Sequence, residues 1–184
     1  MGLGNPGERY AGTRHNVGFE VAAALGERWS LGRAKQKFGA LLAEGRTGPD
    51  GPRVALLLPQ TYMNDAGRSV GPARGAFKLP LERVLVIHDE IDLPFGEVRT
   101  RTGGGLAGHN GLKSVAAELG SRDFARVRVG VGRPDSTDPD VVAAYVLGPF
   151  REPREEVRAL IERARDAAEA AVAAPRGVGP KGRA

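Results

Sequence analysis

The chain contains no cysteine. That excludes a disulfide framework and thiolate chemistry, and it fits a reducing compartment. Aromatic residues make up only 5% of the sequence, so aliphatic side chains must dominate the core. No apolar run approaches the roughly 18 residues a membrane-spanning helix needs. The N-terminus lacks a basic segment followed by a long apolar stretch, so no secretory signal is expected and the cytoplasm is the expected location. What remains is an ordinary globular composition over 184 residues, enough for one domain with a full core. The net charge is +5 and the pI about 10.0. Three of those charges, Arg176, Lys181 and Arg183, sit in the last ten residues, which hold no acid, so the body of the chain is nearer +2. The balance leans toward polyanionic partners without specifying one.

Apolar periodicity predicts an α/β protein. VGFEVAAALGERW reads as a helix, with Val17, Val21 and Leu25 on one face and Asn16 as its cap. Residues 39–44 and 54–59 are short apolar runs that suit strands. A helix is expected after Asn64, with Val70, Ala73 and Phe77 inward; Gly71 and Pro72 should bend it or delay its start. VLVIHDE reads as a buried strand running into acids, and LKSVAAEL as a short helix capped by Asn110. RVRVGVG, residues 126–132, has the two-residue period of a strand, with its valines on one face and Arg126 and Arg128 on the other. Residues 151–173 form an amphipathic helix. Strands alternating with helices imply a single-domain, mixed but mostly parallel twisted sheet with helices on both faces, a three-layer α/β/α arrangement spanning residues 1–174. The Gly/Pro/basic stretch 175–184 should be a disordered tail.

Two glycine-rich stretches imitate nucleotide motifs. Gly2, Gly4 and Gly7 fit the dinucleotide fingerprint, but that pattern requires a preceding strand and a helix opening in the loop. Here the glycines open the chain, and Pro6 and Gly12 delay the helix. GLAGHNGLKS resembles a phosphate-binding P-loop, but Leu112 separates Gly111 from Lys113. Glycines beside a helix start can still hold an anion through their amides.

Three histidines are present, each followed by Asn or Asp: His15-Asn16, His88-Asp89 and His109-Asn110. The HDEID run invites a metal reading, but adjacent strand residues face opposite sides and cannot share one ion, so no metal site is expected. Asn5, His15, Asn64, Asp89, His109 and Asn110 all lie where a strand ends or a helix begins, which is where open α/β folds place their ligand crevice. A histidine oriented by a carboxylate can take a proton from water, and neutral carboxamides can polarise a carbonyl and hold an oxyanion. With no cysteine and no serine in a nucleophile elbow, this set points to hydrolysis by activated water.

GLGNPGERYAGTRHNVGF, PQTYMNDAG, VIHDEIDLPFG, GGGLAGHNGLKS and FARVRVGVGRP follow one another along residues 2–134. These blocks resemble, in order, the signatures of bacterial peptidyl-tRNA hydrolase. The resemblance implies hydrolysis of the ester between a peptide and the 3′ end of tRNA by a monomeric enzyme without metal or cofactor. By motif position it implies His15 as general base, Asp89 as its orienting carboxylate, and Asn5, Asn64 and Asn110 as holders of peptide, terminal nucleotide and water. Tyr10 and Met63 would line the cleft with His109 beside it, and Arg101 and Arg128 would meet the 5′-phosphate region of tRNA. The family pattern also has apolar residues ahead of the first glycine block, forming a strand. Only Met1 stands there, so a truncated first strand is expected. A rival reading is an RNA-binding module on the same fold without catalysis; a nucleotide-cofactor enzyme is a third.

Overall fold

The computed structural model describes residues 1–174; the segment expected to be a disordered tail lies outside them. The fold is organised around strand β4, Leu85–Glu90, all six of whose residues are buried. The VLVI stretch that leads into its polar end is apolar on both faces, so both of its sides must be covered. Leu85 and Ile87 pack with Val17, Val21 and Leu25 of helix α1 (Val17–Arg28) and with Leu160, Ala164 and Ala168 of helix α5 (Arg154–Ala173). Val84 and Val86 point the other way, onto Val70 and Ala73 of helix α2 (Gly67–Ala76) and Leu112 and Val115 of helix α3 (Asn110–Leu119). Two aliphatic cores thus flank one sheet, giving the three-layer α/β class expected.

Strand β6, Ala125–Gly130, runs parallel to β4, with Asp89 opposite Val129. Strand β5, Val98–Thr102, pairs antiparallel along the other side of β6. Strands β1 (Lys35–Lys37), β2 (Ala40–Arg46) and β3 (Arg53–Pro59) form an antiparallel meander. The sheet structure is mixed, with antiparallel pairing more prominent among the named strands than the sequence suggested. Short turns rather than helical crossovers connect the meander. At the first of them Phe38 and Gly39 both take left-handed φ values of 56° and 65°, as a two-residue hairpin turn requires.

Met1–Leu3 joins the meander to β4. The Gly2 amide donates to Leu57 O at 3.1 Å, and the Leu3 amide to Ile87 O at 2.9 Å. The α-amino group of Met1 donates to Leu85 O at 2.9 Å. Burial lowers its pKa from 8.0 to about 5. Helix α1 crosses this segment at Gly18, where a Cβ would collide with the main-chain oxygens of Ile87 and Leu3. That close approach brings the residues ahead of α1 to the C-terminal end of β4.

Local details depart from the sequence reading. Pro72 lies inside α2, which runs from Gly67. Helix α3 is capped by His109, not Asn110: its Nδ1 accepts from the Leu112 amide at 3.3 Å. Asn16 occupies the position before α1 but makes no side-chain cap. The long C-terminal helix begins at Arg154, with Pro153 as the residue before it. A short helix, α4 (Pro139–Val146), begins at Asp138, whose carboxylate accepts from the Asp140 amide.

Candidate active site

Asp89 is the penultimate residue of β4 and is 3% exposed. A buried carboxylate needs donors, and two imidazoles supply them. His15, in the turn before α1, places Nδ1 3.0 Å from both Asp89 oxygens. His109 places Nε2 2.9 Å from Oδ1. The two rings lie 4.9 Å apart. Burial alone would push the Asp89 carboxyl up, but the two histidines beside it hold it far below the usual carboxylate range. For His15, burial opposes the charged ring; the charge and hydrogen bond of Asp89 outweigh it and raise the pKa above 6.5.

The hydrogen bonds fix tautomers. Nδ1 of His109 accepts an amide, so Nε2 carries the proton given to Asp89. Nδ1 of His15 donates to Asp89, which leaves the Nε2 lone pair free to accept a proton. Ligand atoms of His15, Asp89 and His109 lie within 4.8 Å of one another, close enough for an ion. Coordination would require both imidazoles to give up these protons, and the Leu112 amide leaves His109 no place to move its own. The geometry therefore favours a hydrogen-bonded assembly over a metal centre. His88 lies behind, donating from Nδ1 to Asp89 O at 2.7 Å, with its ring edge-on to His109 at 5.1 Å. Burial, followed by the neighbouring His109, lowers its pKa to about 3.

Asn5 is anchored at both main-chain groups. Its amide donates to Asn16 Oδ1 at 2.8 Å, and Asn16 Nδ2 donates back to Asn5 O at 2.9 Å. The Asn5 side chain accepts from the Met63 amide at 2.8 Å. Its oxygen is therefore committed, and its NH₂ group is left to face a ligand. Asn16 was missed as a site residue because Asn before a helix reads as a cap. Met63 is only 5% exposed and belongs to the core, so its main-chain amide, rather than an open cleft surface, is what it offers. Asn64 and Asn110 are exposed directly after Met63 and His109. Tyr10 meets the exposed Tyr62 edge-on at 6.5 Å.

The structure separates the two predicted arginines. Arg101 is exposed; Arg128 is half-buried and its Nε donates to Glu90 Oε2 at 3.0 Å. Both lie on β5 and β6, where Arg101 pairs with Arg126 and Arg99 with Arg128. Like charges directly opposite are unfavourable in a sheet; Glu97 offsets Arg99 and Glu90 offsets Arg128.

This fold is shared, over most of the chain, with known proteins. The family model described as Peptidyl-tRNA hydrolase matches residues 1–178. The chain belongs to the peptidyl-tRNA hydrolase family. It is 53% identical over 175 residues to the peptidyl-tRNA hydrolase of Mycobacterium sp. (strain KMS), covering 94% of this chain and 89% of the relative. It is 51% identical over 150 residues to that of Syntrophotalea carbinolica, covering 82% and 76%. The crystal structure of peptidyl-tRNA hydrolase from Acinetobacter baumannii superposes with a TM-score of 0.82 at 37% identity, over 93% of this chain and 86% of that one. Among the described residues, no helix is long and apolar enough to cross a membrane.

Proposed function

We propose that the chain hydrolyses the ester joining a peptide to the 3′ end of tRNA, with His15 as general base. The observation that carries this reading is the imidazole whose Nδ1 is held by the buried Asp89, leaving Nε2 to take a proton from water. The water oxygen bonds to the ester carbonyl carbon as Nε2 receives its proton. The Asp89 carboxylate offsets the charge that forms on the ring. The Asn5 NH₂, pre-aimed because its oxygen is occupied by the Met63 amide, donates to the developing oxyanion. The ester C–O bond then breaks, and the ribose oxygen leaves with the proton returned from His15. General-base assistance contributes about 10²–10⁴ in rate, and one oxyanion donor about 3 kcal/mol.

Asn64 and Asn110 place carboxamides where they can hold the peptide, the terminal nucleotide or the attacking water; Tyr10 lines the same cleft, with His109 beside it. Arg101 and Arg128 take phosphates of the tRNA, and such contacts position the substrate without reading its sequence. On this reading the enzyme is a cytoplasmic monomer that recycles tRNA in translation and needs no metal, cofactor or protein partner.

The test is incubation with an N-blocked aminoacyl-tRNA beside the unblocked ester. His15→Ala should abolish cleavage of the blocked ester while tRNA binding survives. Absence of cleavage by the wild type, with tRNA bound normally, would leave an RNA-binding module instead. Arg101→Ala should flatten the salt dependence of tRNA binding more than Arg128→Ala, because Glu90 already neutralises Arg128.

A further inference from the structure

Arg126 on β6 is 2% exposed and has no carboxylate partner among the described residues. A guanidinium normally reaches such burial only when paired. Here main-chain oxygens replace the anion. Nη1 donates to Gly105 O at 2.7 Å; Nη2 donates to Gly103 O at 2.7 Å, to Gly104 O at 2.9 Å and, more weakly, to Arg122 O at 3.5 Å. Three consecutive carbonyls can converge on one cation because Gly103 and Gly104 both take positive φ, 68° and 87°, a conformation costly for any other residue. The charge is placed at some cost, since Arg101 lies directly across the strand pair and Arg128 two residues along the same face.

The loop so gripped leads, four residues beyond Gly105, to His109 and its bond to Asp89. Between that grip and His109, Gly104, Gly105, Ala107 and Gly108 are exposed, Leu106 packs against the core beside Leu112, and the His109 amide bonds within the loop, to Leu106 O. We propose that Arg126 is a positioning residue, whose grip on the carbonyls of Gly103, Gly104 and Gly105 holds His109 against Asp89 and so divides the carboxylate between two imidazoles. This inference deepens the proposed hydrolase, because it links the arginine-bearing strands to the state of the general base.

The consequence is measurable at His15. Around its ring stand Asp89 from β4, His109 from the loop before α3, and His88 behind His109; the neighbouring Arg14 turns away to Glu152. If the loop slackens, His109 leaves and Asp89 serves His15 alone, which favours protonated His15. Lysine keeps the charge but gathers its donors on one nitrogen, without the planar two-nitrogen fork that spans the Gly105 carbonyl on one side and those of Gly103 and Gly104 on the other. In an NMR titration, Arg126→Lys should therefore raise the midpoint of the His15 ring by about half a pH unit or more. His109→Ala should raise it too, and the double variant no further than His109→Ala alone. In the same protein, kcat for a minimal N-acyl aminoacyl ester should fall about 10- to 100-fold with KM unchanged. A purely structural Arg126 would lower Tm and leave the His15 midpoint where it was, and that result, or a shift additive with His109→Ala, overturns the proposal. Should Arg126→Lys not fold, Gly104→Ala strains the loop with Arg126 intact and must give the same upward shift; an unmoved midpoint there also overturns it. The titration needs no substrate, so it stands or falls independently of the proposed reaction.

Discussion

Replacing Asp89 by Asn tests the centre of the site with almost no change in shape. The carboxylate accepts from His15 Nδ1 at 3.0 Å and from His109 Nε2 at 2.9 Å. A carboxamide has one accepting oxygen and an NH₂ that cannot face an N–H donor. With its NH₂ in the Oδ2 place, 3.0 Å from His15 Nδ1, it sets donor against donor and drives an imidazole toward the other tautomer. His109 cannot, because the Leu112 amide occupies its Nδ1, so the change falls on His15. Its proton moves to Nε2, the atom required to accept one from water. The whole general-base contribution is forfeited, a loss of about 10²–10⁴ in kcat. The pH profile moves as well. In the wild type Asp89 raises the His15 pKa, so activity should climb with pH through a midpoint above 6.5. In Asp89→Asn only burial acts on the ring, and whatever activity remains should have its midpoint below 6.5. The assay is initial-rate hydrolysis of a minimal N-acyl aminoacyl ester between pH 5 and 9, so that tRNA binding does not enter. A variant within about threefold of wild type, with an unmoved midpoint, would refute the reasoning.

Other outcomes follow from the same geometry. Asn16→Ala strands the buried amide and carbonyl of Asn5 and should cost about 2–4 kcal/mol in a denaturant titration, with a larger fall in kcat than the stability loss explains; full activity would show that Asn5 needs no such support. Gly18→Ala sets a methyl against main-chain oxygens that cannot swing aside, and a loss of about 1–3 kcal/mol or more should appear as a Tm several degrees lower by calorimetry. The fold should be acid-labile. Asp89 has a lowered pKa, so its contribution is complete above the unfolded carboxylate range and is lost as pH falls toward the folded value. His88, held down to about 3, must shed its proton to fold, so below 6.5 acid favours the unfolded chain. In a polypeptide starting at Met1, the amine lowered to about 5 adds the same trend between pH 5 and 8, worth up to about 4 kcal/mol. Urea midpoints that fail to rise from pH 4 to pH 8 would contradict this; His15, with its raised pKa, pulls the other way.

The elements that build the two cores were legible because burial leaves a periodic trace. The valines of β6 and the heptad-like face of α5 declare themselves in any window. Strands β1 and β5, KQK and VRTRT, do not, since edge strands are exposed and carry no apolar alternation. Helix α4 escaped for a similar reason: eight residues with only Val146 buried give no usable face. Within the site, residue types suggested the partners His15 and Asp89, but Asn16 and His109 act through bonds that depend on three-dimensional approach. Asn16 reads as a cap and serves as a brace; Asn110 reads as a cap and yields that task to His109. Arg126 was placed on the correct face of β6, yet alternation with valines reads as solvent exposure. Its actual surroundings, three carbonyls from a segment more than twenty residues earlier, have no counterpart in local pattern.

Helix α4 is exposed along most of its length, with Val141 and Leu147 open to water, and is tied down chiefly at its C-terminal end, where the Tyr145 hydroxyl donates to Val131 O at 2.7 Å and the Arg14 guanidinium stacks on the Tyr145 ring at 4.2 Å. β4 and its carboxylate, by contrast, are clasped between both cores. Gentle heating or brief exposure to a protease should accordingly nick the chain near 139–144 while the centre is still intact, and such clipped molecules would age as working enzymes rather than as debris.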